Sequence, residues 1–143
     1  MVSGGLSHAV TEKVAASAEA ALRFLADGTR LGQWAFGCWN TTAQADGLFL
    51  GHSLFDGAPL WVRVEADEAR RCVIFHVGSA PAPLRPRILA LVVPGPQVGH
   101  CVDECLVTLL AWRDAGMDEA RWRRLTTGHE AEIMLLKALI ERG

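Results

Sequence analysis

From Asp118 to Gly143 the apolar residues Trp122, Leu125, Ile133, Leu136, Leu139 and Ile140 recur at three- and four-residue steps. At 100° per residue this spacing collects them into one stripe and predicts a helix of roughly 37 Å. Asp118 supplies the N-cap, Glu119 sits at the positive end of the dipole, and Met117 and Trp122 have the spacing of a hydrophobic staple. One ionisable side chain, His129, falls inside the stripe, four residues from Leu125 and four from Ile133.

Elsewhere the pattern predicts a strand over 7–14, with Val10 and Val14 on one side and Thr11 and Lys13 on the other. A helix capped by Ser17 is expected over 18–26, ending at Asp27-Gly28 with glycine in the left-handed conformation. Thr29 is expected to cap a further helical turn to Trp34. The helical period then gives way to six short runs rich in β-branched and aromatic residues: 36–43, 48–55, 60–66, 72–78, 87–93 and 99–112. The predicted order is therefore strand, two helical pieces, six strands and a long helix, an α+β arrangement of about seven strands.

A sheet with one buried face must carry its apolar residues on the same side of neighbouring strands. A loop of Asp56 to Ala58 aligns Leu48, Leu50, His52 and Leu54 with Leu60, Val62 and Val64, and a turn from Asp67 to Arg70 extends that face to Val73, Phe75 and Val77. On this register His52 points inward, whereas His76 lies outside with Trp61, Arg63 and Glu65. For the last two strands the alternation does not discriminate. Arg87, Leu89, Leu91 and Val93 compete with Ile88, Ala90 and Val92, and His100 and Glu104 fit either face.

At 143 residues the chain fits a single domain, expected over 7–143 after a disordered lead-in of 1–6. A formal charge of -2 and a pI of about 6.2 give no reason to expect nucleic acid as a partner. Arg121, Arg123 and Arg124 share their helix with Glu130, Glu132 and Glu141, the pattern of a solvated face. The apolar runs fall short of the 18 or so residues needed to span a bilayer, so no membrane insertion is expected. Without a basic patch followed by an apolar segment at the N-terminus, the expected location is cytoplasmic. The four cysteines are then expected to be reduced, and Cys101 and Cys105, four apart on a strand, would lie about 13 Å from one another, too far for a disulfide.

Motifs for nucleotide, serine-hydrolase and structural-zinc chemistry are missing. His129-Glu130 begins like a zinc-protease motif, but Ile133 stands where the second histidine ligand is needed. No metal or other cofactor is expected. Tyrosine, a common donor for polarising a ketone, does not occur in the sequence.

The run Val14-Ala15-Ala16-Ser17-Ala18-Glu19-Ala20-Ala21-Leu22-Arg23-Phe24-Leu25-Ala26-Asp27, then Leu31 and Trp34, and finally Leu135-Leu136-Lys137-Ala138-Leu139-Ile140-Glu141, resembles the START-related helix-grip superfamily. This is also called the SRPBCC, or polyketide cyclase/dehydrase and lipid-transport, superfamily. Many members have proline where this chain has Ser17, a change that keeps a helix start. The resemblance implies a curved antiparallel sheet wrapped around the long C-terminal helix, with a cavity between them for a small hydrophobic or amphipathic molecule. Independently, the stripe of the last helix needs an apolar face, and the sheet supplies it.

On that basis the expected ligand-binding set is Trp34, Leu50, His52, Val62, Phe75, Trp122, Leu125 and His129, with Trp34 either closing one end of the cavity or serving the core. His52 and His129 either converge across the cavity, one as general base and the other as donor to a carbonyl oxygen, or are unrelated residues satisfied separately. Three functions follow. The leading one is binding of a small hydrophobic molecule by a monomer or homodimer. The second is a cofactor-independent polyketide cyclase, aromatase or dehydratase with His129 and His52 as catalytic candidates. The third is a chaperone-activator-like interaction module using the sheet face around Trp61 and Arg63.

Overall fold

The computed structural model describes residues 5–143. The chain runs β1 (Ser7–Val14), α1 (Ala18–Ala26), β2 (Trp39–Ala43), β3 (Leu48–His52), β4 (Pro59–Asp67), β5 (Cys72–Gly78), β6 (Arg85–Pro94), β7 (Cys105–Trp112) and α2 (Glu119–Arg142). Short 3₁₀ segments lie at Gly28–Gln33, Phe36–Cys38, Ala45–Gly47 and Gly95–Val98. The strands form one antiparallel sheet in the order β1-β7-β6-β5-β4-β3-β2, curved and unclosed, which grips α2.

Both helices start where their caps predict. The Ser17 hydroxyl accepts from the Ala20 amide at 3.1 Å, and the Asp118 carboxylate from the Arg121 amide at 2.8 Å. Met117 and Trp122 are buried together against Ala111, as the staple requires. Gly28 departs from expectation. It keeps an ordinary negative φ, and its missing side chain matters instead for close approach, since a Cβ there would lie 2.3 Å from the Phe49 ring. The turn that follows is 3₁₀ and is capped by Asp27, whose carboxylate accepts from the Thr29 amide at 3.0 Å; Thr29 is not the cap.

Three of the expected strands are shorter than their apolar runs. Residues 36–38 form a 3₁₀ turn, pairing of β3 stops at His52, and β7 begins only at Cys105, leaving His100 and Cys101 in an exposed connection. Of the expected lead-in, residues 1–4 lie outside the described residues, while the Leu6 carbonyl accepts from the Arg113 amide at 2.7 Å.

The β3–β4 register corrects the sequence reading. Residues 53–58 connect the strands, closed by the Ser53 amide on the Ala58 carbonyl at 2.9 Å and turned at Gly57, whose φ is +74°. This even-length connection sets His52 opposite Pro59, Leu50 opposite Trp61 and Leu48 opposite Arg63. The inner row is consequently Phe49 and Gly51 with Leu60, Val62 and Val64, and Leu48, Leu50 and His52 lie on the outer face. Gly51 lets the backbone of Cys38 press against the sheet, for a Cβ there would stand 2.6 Å from the Cys38 carbonyl.

From β4 to β5 the expected face continues, Val62 beside Val77 and Val64 beside Phe75. His76 lies outside, its Nε2 2.8 Å from Glu65 Oε1. On β6 the alternation left open resolves with Ala90 and Val92 buried and Leu89 and Leu91 outside. Between the pairs Phe75–Ile88 and His76–Pro86 the ladder slips by one residue, and Arg87 is the extra one. A bulge of this kind re-aims a side chain. Arg87 thereby turns toward the inside of the grip.

Candidate functional site

Along α2 the stripe divides. Ile133, Leu136 and Ile140 enter the main core with Val14, Leu25, Val73 and Leu109, whereas Leu125, Gly128, His129 and Glu132 border a cavity of about 160 Å³. A deeper void of about 60 Å³ continues toward Leu31, Trp34, Cys38, Val62 and Phe75. Gly37, Leu60, Val77, Ile88, His129 and Glu132 line both, so they form the neck between them. Trp34 and Phe75 meet edge to face with centroids 5.8 Å apart and fill part of the interior. Together the two spaces fall short of the roughly 300 Å³ typical of a drug-sized pocket and match a single-ring guest. A void of about 550 Å³ beside α1 is bordered by exposed Glu19, Arg23, Asp27 and Glu68 and is a surface groove remote from the neck.

The neck holds two buried ionisable groups. Glu132 is 6% exposed, and its Oε2 accepts from the Phe36 amide at 2.7 Å, tying α2 to a segment 96 residues away. Burial raises its carboxyl to about 8 against the opposing pull of that amide, so it is protonated and neutral at pH 7. His129 is 4% exposed, and burial, helped by the proximity of His8 and Arg87, lowers it to about 4. Although His129 Nε2 and Glu132 Oε1 stand 3.7 Å apart, within the range of an ion pair, desolvation favours the neutral pair. At that separation there is no direct hydrogen bond between them. The rings of His8 and His129 lie 6.3 Å apart, and the Nδ1 of each is buried with no hydrogen-bond partner.

At the mouth stand Phe55, Asp56, Arg87, Arg121 and Arg124. Arg124 lies over the Phe55 ring at 5.3 Å and 3.7 Å from the Asp56 carboxylate. Arg87 donates from Nη2 to the Trp112 carbonyl at 3.2 Å, its Nε has no partner, and among the described residues no carboxylate lies within 4.0 Å of it. No group of three or more His, Cys, Asp or Glu among the described residues could hold a metal ion.

Of the residues expected at the site, His129 borders both voids, Leu125 the outer one, and Trp34, Val62 and Phe75 the inner one. Three are elsewhere. His52 is exposed on the outer face and does not converge with His129; Leu50 shares that face because of the register shift; and Trp122 is enclosed beneath Arg113, whose guanidinium lies 5.9 Å from its ring. Arg121, Arg123, Arg124, Glu130 and Glu141 are exposed, so the expected solvated face of α2 holds for them, with Arg121 and Arg124 also bordering the cavity mouth, and fails only for the buried Glu132.

No protein-family model matches the sequence, and no curated protein matches it significantly. Solved structures do. A START superfamily protein from Mycobacterium smegmatis aligns with a TM-score of 0.62 at 18% identity, over 96% of this chain and 99% of its own. The Zhui aromatase/cyclase from Streptomyces sp. R1128 aligns with a TM-score of 0.66 at 17% identity, over 95% and 93%. The di-domain aromatase/cyclase BexL of the BE-7585A biosynthetic pathway gives 0.69 at 21%, covering 94% of this chain and 46% of BexL. The fold is the START-like helix grip. Within this helix grip, Glu132 and Arg87 are candidate residues at the cavity that the sequence pattern did not place there. Glu132 carried a signal, being three residues after His129 and four before Leu136 and so on the stripe. Arg87 carried none, because the bulge that turns it inward is not visible in the alternation.

Proposed function

We propose that this helix-grip protein binds a small, mainly apolar molecule about the size of one ring in the cavity between sheet and α2, with Glu132 and His129 orienting it. The observation that carries this reading is the neck itself. Leu60, Val77, Ile88 and Leu125 give the cavity an apolar wall, and a neutral carboxyl and a neutral imidazole stand at its inner end. A protonated Glu132 offers one O–H donor, and a neutral histidine offers one donor and one acceptor, enough to fix the orientation of a carbonyl or hydroxyl. Similarity to a START superfamily protein and to aromatase/cyclases supports a ligand cavity at this place. The test is titration of the purified protein with single-ring probes by ligand-observed NMR. Saturable binding that Gly128→Phe abolishes is expected, since Gly128 borders the cavity and a ring there would occupy it. Absence of saturable binding to every probe would remove this reading.

One observation favours catalysis as a second reading. Two adjacent groups whose proton affinities are driven in opposite directions form the pattern of an acid and a base, Glu132 as proton donor to a carbonyl oxygen and His129 as acceptor. Such an enzyme would be of the cyclase or dehydratase type. It predicts that Glu132→Gln lowers turnover of a carbonyl substrate by about a hundredfold or more while affinity changes little.

A further inference from the structure

The charge at the cavity mouth is unlike that of the molecule. The chain is formally -2, yet the residues bordering the outer cavity include three arginines, Arg87, Arg121 and Arg124, against one aspartate, Asp56, since Glu132 is neutral. Asp56 lies beside Arg124 at 3.7 Å, and the next carboxylate, Asp114, is 3.4 Å from Arg85. Arg87 and Arg121 are left without a carboxylate within 4.0 Å among the described residues. Arg87 is only partly solvated, with one guanidinium bond given to the Trp112 carbonyl and Nε unpartnered; Asp114 attracts it without touching it, and Arg121 and Arg85 repel it. A partly desolvated guanidinium remains charged, and with no carboxylate in direct contact its donors are only partly compensated. The bulge on β6 puts it beside Ile88, on the wall of the same cavity.

We propose that the ligand is an organic carboxylate anion, its single ring against Ile88, Leu60 and Val77 and its carboxylate on Arg87 at the mouth, with Arg121 adding attraction. This rests on the binding reading above and narrows it to a ligand class. A guanidinium takes a carboxylate through two parallel donors, stronger than a neutral hydrogen bond and specific in direction. The neutral polar pair at the neck then meets the uncharged end of the molecule, a division that keeps ionic charge away from the least solvated part of the site.

The experiment compares isosteric probes, benzoate with benzamide and phenylacetate with phenylacetamide, by ligand-observed NMR on the full chain at low and at 0.5 M salt. Each carboxylate is expected to bind at least about tenfold more tightly than its amide, a margin that shrinks with salt. Arg87→Gln should bring the ratio of the two affinities to within about threefold, and Arg121→Gln, at an exposed position independent of the bulge, should reduce the salt dependence. Inorganic phosphate serves as the other source of anionic charge, and it should not compete at equal concentration. Equal affinity for acid and amide overturns the anion proposal while leaving the cavity reading intact. A wild-type preference that survives both substitutions overturns the role of the arginines, displacement by phosphate overturns the carboxylate class, and binding of neither probe removes both readings together.

Discussion

The two halves of α2 belong to the same helix and meet the same sheet, but they do opposite things. Beyond residue 132 the stripe delivers Ile133, Leu136 and Ile140 into contact with Val14, Leu25 and Leu109, and the interior is filled. Before it, Gly128 and the polar pair stand where large apolar residues would close the gap, and a void remains. The difference lies in side-chain volume and polarity at a few helical positions, not in backbone geometry. A helix grip is thus a solid core at one end and an unfilled one at the other, separated by about one turn.

The largest expected effect is in the filled half. Leu136 is fully buried, and Leu136→Ala should destabilise the protein by about 2–5 kcal/mol in urea unfolding, whereas Leu125→Ala, at the existing void, should cost less than about 2. Equal losses at both positions would show that the two halves are packed alike.

The next effect is electrostatic and belongs to the neck. Glu132 has its folded value raised from 4.5 to about 8, so the native state holds a proton that the unfolded chain releases, and stability is lost as pH rises toward 8. His129 is lowered from 6.5 to about 4, so its contribution is lost as pH falls through that interval. The two slopes oppose one another between 4.5 and 6.5, and only the fall due to Glu132 remains from 6.5 to 8. That fall amounts to about 2 kcal/mol at the slope of one proton. Glu132→Gln, which cannot ionise, should flatten it, and thermal melts at a series of pH values check the outcome. A wild-type profile without that decline contradicts the buried, neutral carboxyl.

The smallest is a gain. A Cβ on Gly128 would meet the Phe36 and Phe55 rings at 3.8 and 3.9 Å, ordinary contacts, so Gly128→Ala should stabilise α2 by up to about 1 kcal/mol through helix propensity. It should also weaken ring binding by trimming the cavity. A stability gain with unchanged affinity would place the guest elsewhere.

What could be read from the sequence follows the same division. The stripe, the Ser17 and Asp118 caps and the β4–β5 face rest on periodicity and local chemistry, and each is present as expected. His129 was legible because an ionisable residue in an apolar stripe stands out against its neighbours. His52 was misplaced because inner and outer faces of β3 exchange with one residue of loop length, and Gly51, an inner position with no side chain, gives alternation nothing to register. Arg87 depends on a slip in the ladder that only pairing partners reveal.

The bond from the Phe36 amide to Glu132 makes one carboxyl a fastener between α2 and the segment before β2. The same group that a guest would touch secures the strand-side lip of its own chamber. A guest that competed for the bonded oxygen would have to displace the Phe36 amide. On the proposed reading, filling the chamber and holding its edge would draw on the two oxygens of one side chain.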